Sequence, residues 1–160
     1  MPAVTLRPAR PGDVDAVAAI WCDGWRDGHL GRVPDALTAV RTPESFRARA
    51  ADRVADTRVA EVAGEVAGFV IVAGDEVEQV YVAAAHRGSG VAAALLAEGE
   101  RLVAAAGHRR AWLAVVPGNA RARRFYERSG WADEGPFDHV VDTTAGPIAV
   151  PSHRYARPVG

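Results

Sequence analysis

The chain contains no lysine. All 19 of its basic residues are arginine, set against 20 acidic residues, for a net charge of −1. The arginines are scattered, so no basic footprint for a nucleic-acid backbone is present. Cysteine is almost absent too: Cys22 stands alone. No disulfide can form within the chain, which fits a reducing cytosol. No apolar run reaches the roughly 20 residues that span a bilayer. The N-terminus carries no signal-peptide h-region. A cytoplasmic protein with neither membrane nor nucleic-acid partners is the expectation.

At 160 residues, 49% hydrophobic and 24% charged, the chain has the length and composition of one globular domain over 1–160. Its organising stretch runs from Glu76 to Val103. Glu76-Val77-Glu78-Gln79-Val80-Tyr81-Val82 alternates and is rich in β-branched and aromatic residues, which predicts a strand. Arg87-Gly88-Ser89-Gly90-Val91-Ala92 follows and opens into an apolar helical run. Glycines 88 and 90 let the backbone turn sharply and approach a ligand. Converging N–H groups, backed by the positive end of a helix, suit a phosphate. Taken alone, such a loop is as often only a turn. It does not match the nucleoside-triphosphate P-loop, and Ala93 stands where a Gly-x-Gly-x-x-Gly fingerprint needs its third glycine.

The remaining segments frame that stretch. Val4-Thr5-Leu6-Arg7 reads as a strand stopped by Pro8. Asp13 is the expected N-cap of a helix whose Val14, Val17, Ala18, Trp21 and Trp25 form one apolar stripe. Residues 27–34 read as a loop by composition, and with Trp25 and His29 they could line a pocket. Thr42-Pro43-Glu44-Ser45 starts a second helix running toward Val54, with arginines 47, 49 and 53 on a solvated face. Residues 58–62 and 66–72 are expected strands around an Ala63-Gly64-Glu65 hairpin, and Gly74-Asp75 turns the chain into Glu76. Residues 111–116 form a short apolar strand, parallel to its predecessor across a helical crossover. Asn119 caps a helix over 120–129 that stops at Gly130. Beyond Trp131 the chain reads as turn-rich, then as strands over 138–143 and 148–155, with Pro151 marking the last as an edge or bulged strand. His139, Asp142 and His153 lack a tight ligand spacing, so no metal is expected.

Two motifs carry a resemblance. Arg87-Gly88-Ser89-Gly90-Val91-Ala92 resembles the Gln/Arg-x-x-Gly-x-Gly/Ala loop of the GNAT superfamily of acyl-CoA-dependent N-acetyltransferases. Asn119-Ala120-Arg121-Ala122-Arg123-Arg124-Phe125-Tyr126-Glu127-Arg128-Ser129-Gly130-Trp131 resembles its second signature, Asn-(x)2-Ala-(x)2-Phe-Tyr-(x)3-Gly-Phe, with Trp131 for the usual Phe. Residues 25–34 are similar to the Trp-(x)3-Tyr/His-x-Gly-(x)2-Pro stretch of one large branch. The resemblance covers about the whole chain. It implies a GNAT fold: a mixed α/β domain whose central, mainly antiparallel sheet is splayed between parallel strands around Val80 and Val115. It implies acetyl-CoA as co-substrate. The pyrophosphate would rest on the loop amides of Arg87, Gly88, Ser89, Gly90, Val91 and Ala92. The pantetheine arm would bond to the backbone around Val80, Tyr81 and Val82. Asn119, Ala122 and Tyr126 would face the coenzyme, with Trp25 and His29 near the acceptor. A homodimer is the family habit.

The implied chemistry sets requirements on side chains. Only a neutral amine attacks a thioester, and an amine near pKa 10.4 loses its proton at pH 7 at a cost of roughly 4.6 kcal/mol. A carboxylate near the nitrogen, direct or through water, meets that need. Strand periodicity puts Glu76 and Glu78 on one face. Glu78 is the first candidate base and Glu76 the second. The Tyr126 hydroxyl keeps its proton at neutral pH and is the candidate donor to the leaving thiolate; Phe125 is the better core residue. Acetyl transfer from acetyl-CoA to a primary amine of a small molecule or peptide is the expected activity. A non-catalytic acyl-CoA sensor and an acyl-CoA hydrolase are the alternatives.

Overall fold

The computed structural model describes residues 3–160. Seven strands form one sheet in the order β1-β2-β3-β4-β5-β7-β6. They are β1 (Val4–Pro8), β2 (Thr57–Val62), β3 (Glu65–Ala73), β4 (Glu76–Val82), β5 (Arg110–Val115), β6 (Ala132–Thr143) and β7 (Gly146–Pro158). The helices are α1 (Val14–His29), α2 (Asp35–Val40), α3 (Pro43–Asp52), α4 (Val91–Ala105) and α5 (Ala120–Arg128). All neighbouring strands pair antiparallel except β4 and β5. Those two run parallel and share a single register pair, Glu76↔Trp112. Beyond it no ladder joins them, and the sheet opens between the stretch around Val80 and the end of β5 at Val115.

Local rules explain most elements. The β2–β3 turn has positive φ at both Ala63 (52°) and Gly64 (80°), the geometry of a tight hairpin. Thr42 caps α3 by accepting from the Ser45 amide at 3.2 Å, and Asn119 caps α5 by accepting from the Ala122 amide at 3.2 Å. Gly130, at φ 90°, ends α5, and the Trp131 amide closes back on the Tyr126 carbonyl at 3.0 Å.

The sheet divides two cores. On one face α4 and α5 cover Val70, Val77, Leu113 and Tyr155, with Val80 and Val82 packed alongside. On the other, α1, α2 and α3 cover Val59, Phe69 and Ile71, with Tyr81, Val141 and Ile148 alongside. Trp21 centres this second core, tilted against Phe46 at 5.9 Å and Phe69 at 5.5 Å. Val77 and Val80 thus share a face although they stand three positions apart. Strict alternation forbids that. The reason is a β-bulge: Ile71 pairs with Gln79 but Val72 pairs with Val77, leaving Glu78 as the extra residue.

Several expectations need correction. Asp13 does precede α1, but its carboxylate does not cap that helix. It takes two bonds from Arg7, at 2.8 and 2.9 Å, and one from the Arg10 amide at 2.7 Å. Residues 27–29 are helix, not loop, because α1 continues through Gly28 to His29. Residues 35–40, unassigned from sequence, form α2. The turn-rich reading beyond Trp131 fails as well: β6 begins at Ala132. Pro151 does not lie on an edge strand, since β7 stands between β5 and β6. It is tolerated because β5 pairs only with residues from His153 onward, leaving Pro151 one unpaired side. The arginines of α3 are not uniformly solvated. Arg47 is exposed, but Arg49 lies 4.2 Å above the Trp21 ring and Arg53 grips Glu78.

Candidate active site

The opening between β4 and β5 is bordered on one side by the glycine loop. Gly88 (φ 75°) and Gly90 (φ 84°) both hold left-handed backbone, and Gly90 is the N-cap residue of α4. No side chain caps that helix. Its first-turn amides are therefore free to meet an anion. A Cβ at either glycine would meet open space, so it is φ and not crowding that demands glycine there. Arg87 reaches to α1, where it donates to Asp27 at 2.8 Å. Ser89 is bonded to the His86 carbonyl.

Helix α1 is pressed against the opening. A Cβ on Gly24 would sit 2.3 Å from Cδ1 of Tyr81, and one on Gly28 would sit 2.7 Å from Nδ2 of Asn119. These two glycines, one turn apart, let a β4 side chain and the cap of α5 touch the same helix. Tyr81 and Tyr126 approach from opposite faces. Burial raises the pKa of both phenols, Tyr126 to about 12, and the Tyr126 charge would further raise Tyr81. Ala122 and Tyr126 pack from α5 against the core on that face of the sheet. Tyr126 packs on Phe125, Trp131 and Tyr155 at 5.4, 6.4 and 6.1 Å between ring centroids.

The two carboxylates of β4 differ in kind. Glu78 receives both terminal nitrogens of Arg53, each at 2.8 Å, in a two-pronged pair. Glu76 has no such partner. Burial, then the negative charges of Glu78 and Asp75, push its pKa up to about 7. The nearest basic group is His139 of β6, whose Nε2 stands 3.6 Å from a Glu76 oxygen. That separation exceeds a direct hydrogen bond and suits one bridging water at most. Burial also lowers the His139 pKa, which favours the neutral imidazole beside Glu76. Trp112 roofs this corner. Its indole donates to Asp75 at 2.9 Å, and its ring meets Phe137 and His139 edge-on.

Trp25 and His29 stack face to face, 5.0 Å apart at an interplanar angle of 2°. The His29 Nδ1 lies 3.0 Å from the Trp25 carbonyl. Burial, reinforced by Arg41, Arg32 and Arg49, holds its pKa down at about 4, so it is neutral at physiological pH. Sequence reasoning missed His139, Trp112, Arg41 and Arg49. The helical spacing of Gly24 and Gly28 was the one available signal that α1 runs on and is closely approached. Among the described residues, no group of three or more His, Cys, Asp or Glu side chains is placed to hold a metal ion. No helix there is long and apolar enough to cross a membrane.

The geometry has counterparts. The family model described as acetyltransferase (GNAT) family matches residues 17–131. No curated protein matches the chain. Among solved structures, a GCN5-related N-acetyltransferase from Rhodopseudomonas palustris aligns at TM-score 0.74 and 21% identity, over 99% of this chain and 96% of its own. The N-acetyltransferase PaiA from Thermoplasma acidophilum, in complex with coenzyme A, aligns at 0.73 and 14%, over 98% and 99%. YncA from Salmonella typhimurium, solved with acetyl-CoA, aligns at 0.71 and 19%, over 99% and 95%. Below 25% identity these show the shared fold, and the family model spans most of the chain: it belongs to the GNAT family of acetyltransferases.

Proposed function

We propose that the protein transfers the acetyl group of acetyl-CoA to a primary amine, by direct attack of the amine on the thioester. One observation carries the reading: the only parallel strand pair among the described residues is unpaired beyond Glu76, and its opening is flanked by an uncapped helix start, a half-buried carboxylate and a half-buried phenol. The amides from Gly88 to Ala92 hold the pyrophosphate. The backbone of Val80, Tyr81 and Val82, lacking a β5 partner, bonds the pantetheine arm. Asn119 and Ala122 border the arm from α5. Trp25 and His29 wall the acceptor side.

In this reading Glu76, ranked second from sequence, is the base. Glu78 has both oxygens committed to Arg53, whereas Glu76 titrates near the working pH, where a general base is most effective. The acceptor ammonium gives one proton to Glu76, directly or through water. The neutral nitrogen then attacks the carbonyl carbon, and the tetrahedral adduct collapses with cleavage of the carbon–sulfur bond. Tyr126 donates a hydrogen bond to the sulfur as charge develops. Its pKa near 12 lies roughly 3.5 above that of a thiol, so it stabilises the thiolate rather than surrendering its proton for good. The proton that ends on sulfur comes from the acylated nitrogen, with Tyr126 as relay. The products are the amide and free coenzyme A.

The test is thiol release across a panel of primary amines, with Tyr126→Phe as the probe. Phenylalanine keeps the ring packing and deletes only the hydroxyl. Turnover should fall by about 10²–10⁴ with acetyl-CoA affinity preserved. Full turnover in that variant would reduce Tyr126 to a packing residue. Thiol release that needs no amine would replace acetyl transfer by hydrolysis.

A further inference from the structure

Two half-buried arginines, Arg41 and Arg49, have no anionic partner among the described residues. Arg41 follows α2 directly, and Arg49 lies on α3. Nε of Arg41 and Nη1 of Arg49 are buried and bonded to nothing among the described residues. No ion pair among those residues includes either one. Each residue as a whole is half-buried, so it can be reached from outside. Arg49 is held rigid by stacking on Trp21 at 4.2 Å and Phe46 at 5.6 Å. A guanidinium seldom loses water without gaining a carboxylate or phosphate. Here two of them do so close together.

The groups around them locate the pair. The Arg41 and Arg49 charges bear on each other, on His29 and on the Tyr81 phenol. Glu78 is the carboxylate that reaches Arg49 electrostatically, and Arg53 already occupies both of its oxygens. Burial lowers the Arg41 pKa and takes that of Arg49 down to about 10, so Arg49 remains cationic at pH 7. The result is a positive, partly dehydrated patch whose charge is felt by His29 and Tyr81, and no acid among the described residues pairs with it.

We propose that Arg41 and Arg49 clamp the carboxylate of the acceptor, which is therefore a small molecule carrying both a primary amine and a carboxylate, of the amino-acid type. The inference rests on the acetyl-transfer reading above and narrows its acceptor. The planar, forked donors of arginine match a carboxylate in two-pronged geometry. Holding that group fixes the amine at the other end of the molecule, which is what attack requires. A neutral or polycationic amine would leave the two charges facing empty water or meeting repulsion.

The experiment pairs each of a panel of free α-amino acids with its own carboxamide, in thiol-release assays at saturating acetyl-CoA. Wild type, Arg41→Gln, Arg49→Gln and Arg49→Lys are compared. At least one acid should show a KM roughly 10–100-fold below that of its amide, the loss expected for a charge-assisted pair. Either glutamine substitution should bring that ratio toward one, and Arg49→Lys, which keeps the charge but not the fork, should fall between. In parallel, N-acetyl amino acids and their carboxamides are titrated calorimetrically into protein with coenzyme A, a readout that needs no chemistry. Acids that bind no better than their amides overturn the clamp, whatever the turnover. Acids that bind through both arginines while no amine is acetylated sustain the clamp and refute acetyl transfer instead. Should Arg49→Gln fail to fold, Arg41→Gln and the wild-type acid-to-amide ratio decide the matter alone.

Discussion

The rising limb of the pH profile should belong to Glu76, and its neighbours should move it in opposite directions. Wild-type kcat, measured at saturating acceptor, should rise with a midpoint near pH 7, the pKa to which burial and adjacent acids push Glu76. Alternate strand residues lie about 6.6 Å apart. Unit charges at that separation, with an effective dielectric of about 20, interact by about 2.5 kcal/mol, or roughly 1.8 pH units. Arg53 offsets part of the Glu78 charge, and the Glu76 and Glu78 side chains keep 17% and 24% of their exposure, so screening leaves about one unit. Glu78→Gln should therefore move the limb to about pH 6, because a repelling charge goes and Arg53 is released toward Glu76. Arg53→Gln uncovers Glu78 and should move the limb toward about pH 8. Glu76→Gln should abolish the limb and cost about 10²–10⁴ in kcat. The same residue has a stability signature. Its folded pKa lies above the unfolded value of about 4.5. The folded state therefore holds the extra proton, and stability is lost as pH rises from about 4.5 through 7. Glu76→Gln should raise the thermal midpoint at pH 8 more than at pH 4. A limb near pH 7 that survives in Glu76→Gln, or shifts of the same sign in Glu78→Gln and Arg53→Gln, would refute the assignment.

Other outcomes follow from single contacts. Gly24→Ala, which in an ordinary helix would gain about 1 kcal/mol, should instead destabilise by about 1–3 kcal/mol in denaturant titration, because the new Cβ would sit 2.3 Å from the Tyr81 ring. Gly90→Val forces a β-branched residue into φ 84° and should weaken acetyl-CoA binding more than Arg87→Ala, whose side chain is spent on Asp27; calorimetry giving the reverse order would count against an amide nest. His29 is held neutral with a folded pKa near 4, below its unfolded value, so stability should drop as pH falls from about 6.5 to 4. His29→Gln should flatten that drop in thermal melts at stepped pH. A homodimer is expected through the free edge of β6, where Val140 is 59% exposed; light scattering that returns the monomer mass of 16.9 kDa at micromolar concentration would end that expectation.

Much of what short-range rules govern could be read from the chain, although Asp13 does not cap α1 and the loop and turn readings after Trp25 and Trp131 gave way to helix and strand. The β4–loop–α4 unit, the Asn119 cap, the Gly130 stop and the Ala63-Gly64 hairpin depend on residues within a few positions of one another, and all appear in the structure. The parallel strands around Val80 and Val115 were legible too, because a strand–helix–strand run of that length is the usual crossover between parallel neighbours. What the sequence could not decide depended on partners far along the chain. The bulge at Glu78 arises only when β3 and β4 pair, and it interrupts the alternation along β4 so that Val77 and Val80 share a face. Arg53 pairs with Glu78 across 25 positions, which turned the first candidate base into a charge holder and left Glu76 to titrate. Arg49 read as a solvated residue because its helix has little amphipathic pattern; only packing against Trp21 buried it. Periodicity reports which side of an element is apolar, but the charge beside a side chain, and the water removed from it, are set by the elements that fold against it.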